Sequence, residues 1–456
     1  MIRFWNEKHG RNLISKLVNY KFMDYRLIFL KAAYMEGRVK LKYIFEKDGF
    51  TESFDVDIPE NGTVPSATEI FPEGAQMESE IADTYPLRFV SQKKVSNPEE
   101  KQGNSLVEWG PFHPLLQEPV LFSFSVKDGI IGGVNAETGY NRRGIESLCA
   151  GEKIPYVLDM LERISSINGF SAGLAFLIAV EEINRIAVPA KANLLRLILN
   201  EMSFLRANLY SLSHITRCLG LLSDNSEIFK LISLYYEAVS LISEDRQLKG
   251  ILVPGGINRD IDTETLLRLN VVLQETANAL ASIRDRWSKT PFIAERMSAI
   301  GKIDKEAARA MTGRPARSAG FCEDTRKFSH LPYHILSYKL PVTDESNCFT
   351  RTMLMFEDAL LSLSLIDQAV EIMPEGEVYI ADGIKNKGEV LVREPEAFGE
   401  LVMYVALEDG IVTDLKIRNS SSLNFSFISR VLKGNEVNDA PLIIATLDYD
   451  FSGMEK

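Results

Sequence analysis

Helical periodicity over a long central stretch is the feature that most restricts the fold of this chain. From about residue 153 to residue 295, apolar residues recur at intervals of three and four, as on the buried face of a helix. One such stripe consists of Ile198, Met202, Leu205, Leu209 and Leu212. A further helix is predicted at 352–370, before Pro374 and Gly376. We therefore predict a helical bundle, in which buried sites are built from side chains on facing helices.

Strand-like segments lie on both sides of this bundle. Alternating apolar and polar residues turn at three Asp-Gly pairs, which are strong hairpin signals: Asp48-Gly49, Asp128-Gly129 and Asp409-Gly410. A polar helix is predicted at 24–35, so the first residues are interpreted as a small α/β unit.

The predicted organisation follows from these patterns. Polar residues with Pro and Gly at 91–105 indicate a linker. We expect an α+β chain with an α/β domain at 1–90, the linker at 91–105, and a large helical-bundle domain with flanking antiparallel β structure at 106–456.

The composition restricts the class of protein. The 456 residues are 45% hydrophobic and 25% charged, which is ordinary for a soluble protein with a core. The net charge of -12 argues against nucleic-acid binding, which needs clustered Lys and Arg. The longest apolar runs, about ten residues, are too short to span a bilayer, and the N-terminus lacks the apolar core of a signal peptide. We expect a cytoplasmic chain, free or bound to a membrane partner.

The sequence shows no generic motif of chemistry. Four cysteines are dispersed without C-x-x-C spacing: Cys149, Cys218, Cys322 and Cys348. His330 and His334 are four residues apart, but Pro332 between them disfavours a helical ligand pair. Phosphate-binding and nucleophile motifs are also missing, so short motifs leave the function open.

Longer phrases carry a family resemblance. They are, in chain order, G-P-F-H-P-L-L-Q-E-P (110–119), G-Y-N-R-R-G-I-E-S-L (139–148), P-G-G-I-N-R-D-I (254–261), A-R-S-A-G (316–320), L-K-I-R-N-S-S-S-L-N (415–424) and A-T-L-D-Y-D-F-S-G (445–453). Together they resemble the large subunit of energy-converting, membrane-bound [NiFe]-hydrogenases and the related 49 kDa, quinone-site subunit of respiratory complex I. Residues 64–83 resemble the 30 kDa subunit of complex I, so the chain resembles a fusion of the two, as in formate hydrogenlyase. The implied fold is that of the [NiFe]-hydrogenase large subunit.

The resemblance implies that a metal site has been lost. The hydrogenases bind nickel and iron through two C-x-x-C pairs, because these metals are held by soft thiolates. The matching positions here are Ser165, Asn168, Asp450 and Gly453. We therefore expect no metal and no cofactor in this chain, but a cavity lined by small polar groups and water. A weak magnesium site on the single carboxylate is the alternative.

The quinone site of the complex I subunit is not retained either. The family places a His in the loop after G-P-x-H-P and a Tyr in the helix-start motif. Gln117 and Ser166 occupy these positions, and Asn208 and Phe204 replace a further His and an Arg. A quinone held by a Tyr and His pair is therefore not expected.

Other residues keep the family pattern. The candidate catalytic residues are Glu118, Arg317 and Asp450. Glu118 stands where the hydrogenases keep a proton-transfer carboxylate; the alternative is a solvated loop residue. Arg317 matches an Arg near the metal site and needs an acidic partner, for which we expect Asp450. His113 is expected to brace its loop at the cavity.

Four further residues that match the family have expected framework or contact roles. Arg142, Arg143 and Glu146 match a motif near the iron–sulfur partner, and Asp448 is expected to cap or hydrogen-bond its loop.

The resemblance leads to a functional hypothesis. We expect a metal-free large subunit of a membrane-associated, complex I-like, hydrogenase-related oxidoreductase complex that couples electron transfer to proton or ion translocation. It would not be an active [NiFe]-hydrogenase by itself. The expected partners are an iron–sulfur small subunit carrying the clusters, membrane antiporter-like subunits, and a quinone or another small acceptor. The alternatives are a non-catalytic scaffold or coupling subunit and a quinone-reducing NADH dehydrogenase-type subunit. The location would be peripheral, on the inner face of the cell membrane.

Overall fold

The structure is a computed structural model. It describes residues 7–456 except residue 36, residues 91–104, and residues 117, 382 and 385, with side chains from residue 12 onward. The predicted linker therefore lies outside the described residues, apart from Ser105, which begins a strand.

The N-terminal part has a hydrophobic core of its own. Its elements are α1 (Glu7–Phe22), β1 (Arg26–Met35), β2 (Arg38–Lys47), β3 (Phe50–Pro59), β4 (Gly62–Pro65), α2 (Ala75–Thr84) and β5 (Leu87–Val90). Strands β1, β2 and β3 form an antiparallel sheet in that order, and β4 pairs with β5 in parallel.

The helix predicted at 24–35 is wrong, because most of this segment is strand β1. Leu27 and Leu30 pack into the N-terminal core, whereas Ile28 and Phe29 pack against Val402 and Tyr404 of the C-terminal sheet. A strand that is buried on both faces loses the alternation by which strands are recognised in a sequence.

A three-stranded antiparallel sheet opens the larger part of the chain. It contains β6 (Ser105–Trp109), β7 (Leu121–Lys127) and β8 (Ile130–Glu137), and Lys127 pairs with Ile130 across the predicted Asp128-Gly129 turn. The other two predicted hairpins also form, because residues 47 and 50 pair, as do residues 408 and 411.

The helices form the centre of this larger part. They are α3 (Ile145–Cys149), α4 (Ile154–Glu162), α5 (Gly169–Asn184), α6 (Ala190–Leu219), α7 (Leu222–Ile242), α8 (Thr263–Ser288), α9 (Pro291–Ser298), α10 (Lys305–Ala310), α11 (Arg314–Ser318) and α12 (Cys348–Glu371). Helix α6 packs against α7 and α12, and α8 packs against the same two helices, so the four longest helices form a bundle. The predicted stripe from Ile198 to Leu212 lies on α6, and its five side chains are at most 1% exposed.

A second antiparallel sheet and short helices complete the fold. The strands are β9 (Glu152–Lys153), β12 (Gly388–Glu396), β13 (Gly399–Glu408) and β14 (Ile411–Arg418), in the order β12-β13-β14-β9, and a separate pair is formed by β10 (Leu252–Val253) and β11 (Gly256–Ile257). The last helices are α13 (Ser420–Asn424), α14 (Ile428–Leu432), α15 (Ala440–Ala445) and α16 (Phe451–Met454). The predicted α+β class is confirmed, with a small N-terminal sheet region and a larger helical part.

The turn between β12 and β13 lies against the start of α11. Gly313 has a φ of 69°, and a Cβ atom there would lie 1.9 Å from the carbonyl oxygen of Phe398. Only glycine permits this close approach, which holds the end of β12 next to α11. As for membrane spans, no helix within the described part of the chain has an apolar stretch long enough to cross a bilayer.

Candidate functional site

Four residues that match the thiolate positions lie together in the structure. Ser165 and Asn168 are in the turn between α4 and α5, and Asp450 and Gly453 are at the start of α16. Asn168 Nδ2 donates to Asp450 Oδ2 at 3.0 Å across 282 residues of sequence. We call these four residues the Asp450 cluster. The three polar side chains are at most 4% exposed.

The Asp450 cluster satisfies its own hydrogen bonds. The N–H of Gly453 donates to Asp450 Oδ1 at 3.0 Å, and the N–H groups of Ile167 and Asn168 donate to Ser165 Oγ. On its other side, Asn168 Oδ1 accepts from the N–H of Ala397. Burial raises the pKa of Asp450, although the hydrogen bonds from Ser165, Gly453 and Asn168 oppose this.

These residues do not fit a nickel–iron site. A side chain at Gly453 would begin 2.6 Å from Asn419 Nδ2 and 2.7 Å from Asp450 Oδ2. The cluster has no thiolate, and within the described residues no group of three or more His, Cys, Asp or Glu side chains could hold a metal ion. Asp450 is the single carboxylate of the cluster, and each of its oxygens accepts a hydrogen bond; the alternative of a weak magnesium site stays a prediction.

Arg143 joins the two segments that carry the Asp450 cluster. Its guanidinium donates to the carbonyl oxygens of Ile164, at 2.7 Å, and of Ser452, which directly precede Ser165 and Gly453. It also donates to the carbonyl oxygen of Glu455 at 3.2 Å. Arg143 is thus an internal clamp, consistent with the framework role considered for its motif.

The neighbouring motif residues contact other parts of the chain. Arg142 pairs with Asp83 of α2 at 3.0 Å at the surface. Glu146 accepts from Lys416, Lys456 and the N–H of Ile417.

The prediction that Arg317 pairs with Asp450 is wrong. The carboxylate that Arg317 contacts is Asp358 of α12, at 2.6 Å, rather than Asp450. Asp358 also lies 3.5 Å from Arg314, and although burial opposes ionisation, these two arginines lower the pKa of Asp358. The family resemblance implied a place for Arg317 near the thiolate positions, but α11 directs its guanidinium towards Asp358 of α12.

Asp448 has a similar role for a second buried arginine. It accepts from Arg314 Nε at 2.6 Å, and Arg314 also donates to Asn208 Oδ1 at 2.7 Å. Burial raises the pKa of Asp448 to about 6, with Arg314 acting in the opposite direction. Asp448 thus hydrogen-bonds an arginine of another segment rather than its own loop.

The loop before β7 lies at the periphery. Glu118 is half-buried, and its Oε2 accepts from Asn141 Nδ2 at 3.0 Å. His113 accepts from the N–H of Leu115 at 3.3 Å and stacks on Trp109, with 5.4 Å between ring centroids. Gln117 lies outside the described residues.

The prediction that Ser166 lines a buried cavity is wrong. The residue is exposed, and its contribution to the interior is its carbonyl oxygen, which accepts from Arg206 at 2.6 Å. The turn between α4 and α5 directs Ser165 and Asn168 inwards and leaves Ser166 outside.

A small cavity adjoins the cluster at Ala397. It has a volume of about 40 Å³, and its walls include Phe204, Asn208, Thr312, Arg317, Asp358 and Glu396. We call it the Glu396 chamber. It shares Asp324, Arg326 and Leu340 with a depression of about 910 Å³ that is also lined by Lys327, His334 and Lys339.

The chamber was not predicted from the sequence. Glu396, at the end of β12, lies in no phrase that resembles a known family, and Asp358 was assigned only to a helix. Phe204 and Asn208 were identified, but only as replacements for lost site residues. These walls come together because the start of α11 packs against the β12–β13 turn, and no local sequence pattern predicts that contact.

Comparisons with known proteins match one segment of the chain to the profile of a family. Residues 219–386 match the sequence profile of the respiratory-chain NADH dehydrogenase 49 kDa subunit. The match covers a little over a third of the chain and is a similarity of that segment. The resemblance to that family and to hydrogenase large subunits is thereby confirmed.

Individual related proteins match a larger part of this chain than residues 219–386. The membrane-bound hydrogenase subunit alpha of Pyrococcus furiosus is 27% identical over 364 residues, covering 75% of this chain and 85% of the relative. The NADH-quinone oxidoreductase subunit 4 of Thermus thermophilus is 24% identical over 371 residues, covering 74% of this chain and 91% of the relative.

A third relative is longer than this chain. The formate hydrogenlyase subunit 5 of Escherichia coli is 25% identical over 356 residues, covering 76% of this chain but 62% of the relative. The resemblance of residues 64–83 to the 30 kDa subunit stays a prediction.

Proposed function

We propose that this chain is a metal-free large subunit of a membrane-associated, complex I-like oxidoreductase complex related to hydrogenases. It couples electron transfer in a partner subunit to the translocation of protons or other ions. The relatives named as a membrane-bound hydrogenase subunit and as an NADH-quinone oxidoreductase subunit support the class of complex.

The Asp450 cluster is the observation that carries the metal-free part of the proposal. The nickel–iron site of the hydrogenases needs several thiolates directed at one point, whereas the Asp450 carboxylate accepts hydrogen bonds from Asn168 and from the backbone N–H of Gly453. The hydrogen bonds close the cluster, and Arg143 ties its two segments together. In this proposal the former site is a structural junction, and the electrons stay on iron–sulfur clusters of the partner.

The surface supports a partner near the first two family phrases. Phe112 is 84% exposed, and Leu148 and Tyr140 are about half exposed. Large apolar and aromatic side chains of this kind are buried in protein–protein interfaces. We propose an iron–sulfur small subunit as the partner at this face and antiporter-like membrane subunits as further partners, with the chain held peripherally on the inner face of the membrane.

Glu118 is proposed as a proton-transfer group beside this face. Its carboxylate accepts a hydrogen bond from Asn141, which is two residues along the chain from the Arg143 clamp. A Glu118→Gln variant keeps the shape and removes the titratable oxygen. We expect turnover of the complex to fall in Glu118→Gln. The matched control is Glu108→Gln in the neighbouring strand β6.

The scaffold alternative also has an observation in its favour. The chamber beside the cluster, at about 40 Å³, is far smaller than the roughly 300 Å³ or more of pockets that hold small molecules. If reduction of an acceptor takes place elsewhere, this chain needs only to transmit conformational change. Unchanged turnover and unchanged ion transport in Glu118→Gln would favour this scaffold role.

Purification of the tagged chain from membranes of its native host tests the proposal. We expect an iron–sulfur protein and polytopic membrane proteins to co-purify, and vesicles containing the complex to build an ion gradient when it turns over. Recovery of the chain alone, from the soluble fraction and at full abundance, would contradict the proposal.

A further inference from the structure

Glu396 is a buried carboxyl group with a free acceptor position. It ends strand β12 and is 4% exposed. Its Oε1 accepts from the N–H of Ser420 at 2.6 Å. Its Oε2 has no hydrogen bond of ordinary geometry to any described residue, although the Ser420 hydroxyl lies close to the carboxyl group.

Other walls of the Glu396 chamber have free polar atoms as well. Asp358 Oδ1 and Thr312 Oγ1 are buried and make no hydrogen bond of ordinary geometry to any described residue, although the Thr312 hydroxyl lies close to the carboxyl group of Glu323. Both residues line the same cavity as Glu396. Buried polar atoms are rarely left without a partner, and an ordered water molecule is the usual solution.

The chamber has the size of a small water cluster. A buried water needs about 10–15 Å³ of such space, so about 40 Å³ holds roughly three or four water molecules. A quinone headgroup does not fit. The donors and acceptors on the walls are also those that water uses, because hydroxyl and carboxyl oxygens accept and donate.

Two of the carboxyl groups that line the chamber, those of Asp358 and Glu396, differ in charge. Arg317 and Arg314 hold Asp358 in its ionised form. Glu396 has no such cation: burial raises its pKa to about 8, and the negative charges of Asp450 and Glu400 add to this. Glu396 therefore keeps its proton near neutral pH and can release it within a physiological range.

The surroundings of Glu396 contain charges from several elements. Glu400 on β13 is itself ionised, since Arg26, Arg393 and Arg418 lower its pKa to about 2 against the effect of burial. The other charged chamber walls are Arg317, Asp358, Glu323, Asp324 and Arg326.

We propose that Glu396 is a proton-exchange site of this chain, served by water held in the Glu396 chamber. The O–H bond of the Glu396 carboxyl breaks, a chamber water takes the proton as hydronium, and the carboxylate remains hydrogen-bonded to the N–H of Ser420. The reverse step restores the acid. The shared walls Asp324, Arg326 and Leu340 place the exchange route towards the wide surface depression. This inference goes beyond the proposed function, since it requires neither a partner nor an electron acceptor.

Infrared spectroscopy of the purified full-length chain tests the inference. A protonated buried carboxyl group gives a carbonyl stretching band that shifts in D₂O. We expect such a band at neutral pH, its loss in Glu396→Gln, and its disappearance in wild type as the pH rises above about 8. The variant Thr312→Val keeps the size of the wall but removes its hydroxyl. We expect it to slow the deuterium exchange of the Glu396 band by about fivefold.

Glu162 provides the matched control. It is a buried carboxyl on α4 whose pKa is raised by burial to about 7, and it is not a wall of the chamber. Thr312→Val should leave the exchange of the band lost in Glu162→Gln unchanged. The inference fails if Glu396→Gln removes no band, or if Thr312→Val does not slow exchange. Neither result depends on whether the complex contains nickel, so a failure here is distinct from a failure of the proposed function.

Discussion

Replacement of Asp450 by Ala is the substitution that tests the Asp450 cluster most directly. The change removes the acceptor for Asn168 Nδ2 and for the N–H of Gly453, both at 3.0 Å. Each buried donor left without a partner costs about 1–3 kcal/mol. The loss is reduced somewhat, because the Asp450 carboxyl is itself costly to bury. We expect the free energy of unfolding to fall by about 2–4 kcal/mol.

Thermal unfolding of the purified chain, followed by calorimetry, measures this loss. The matched control is Asp159→Ala on α4, since Asp159 is 59% exposed and pairs with Arg163 only at the surface. A change of at most about 0.5 kcal/mol is expected for the control. If Asp450→Ala were as stable as Asp159→Ala, Asp450 would not hold the cluster together.

Three further substitutions follow from the same contacts. Wild type should lose stability relative to Glu396→Gln as the pH rises, because the pKa of Glu396 is about 8 in the folded state and 4.5 ordinarily. Denaturant titrations should show this loss of unfolding free energy between pH 4.5 and pH 8, and it should be at most about 5 kcal/mol. Arg143→Lys cannot contact all three carbonyl oxygens, so limited proteolysis should cut the C-terminal segment faster, whereas the exposed Arg142→Lys should behave as wild type. Asp358→Ala leaves a buried arginine unpaired and should cost about 3–5 kcal/mol in chemical denaturation, against at most about 1 kcal/mol for the surface pair broken by Glu357→Ala.

The fold could be predicted from the sequence wherever one local pattern decided the structure. The apolar stripe of α6 has a single buried face, and each Asp-Gly pair requires left-handed backbone that these residues adopt readily, as at Asp48 and Gly49. Strand β1 was missed because its two faces pack into different cores, so the alternation that is typical of a strand was not visible.

The candidate site could be predicted only as far as family phrases reach. They brought together Ser165, Asn168, Asp450 and Gly453, although 282 residues of sequence separate Asn168 from Asp450. They could not give the partner of Arg317, because a guanidinium at the end of a long side chain reaches several carboxylates, and the packing of α11 on α12 selects Asp358. Glu396 had no sequence signal at all, since its special position arises from burial beside the β12–β13 turn.

The nickel content of the intact complex is the measurement that bears most directly on the proposed function. The complex is purified from the native host in the absence of chelators, and nickel and iron are determined per chain by elemental mass spectrometry. We predict iron, from the clusters of the partner subunit, and nickel far below one atom per chain. One nickel atom for each chain would contradict the proposal that hydrogen bonds between Asp450, Asn168 and Gly453 have replaced the metal site.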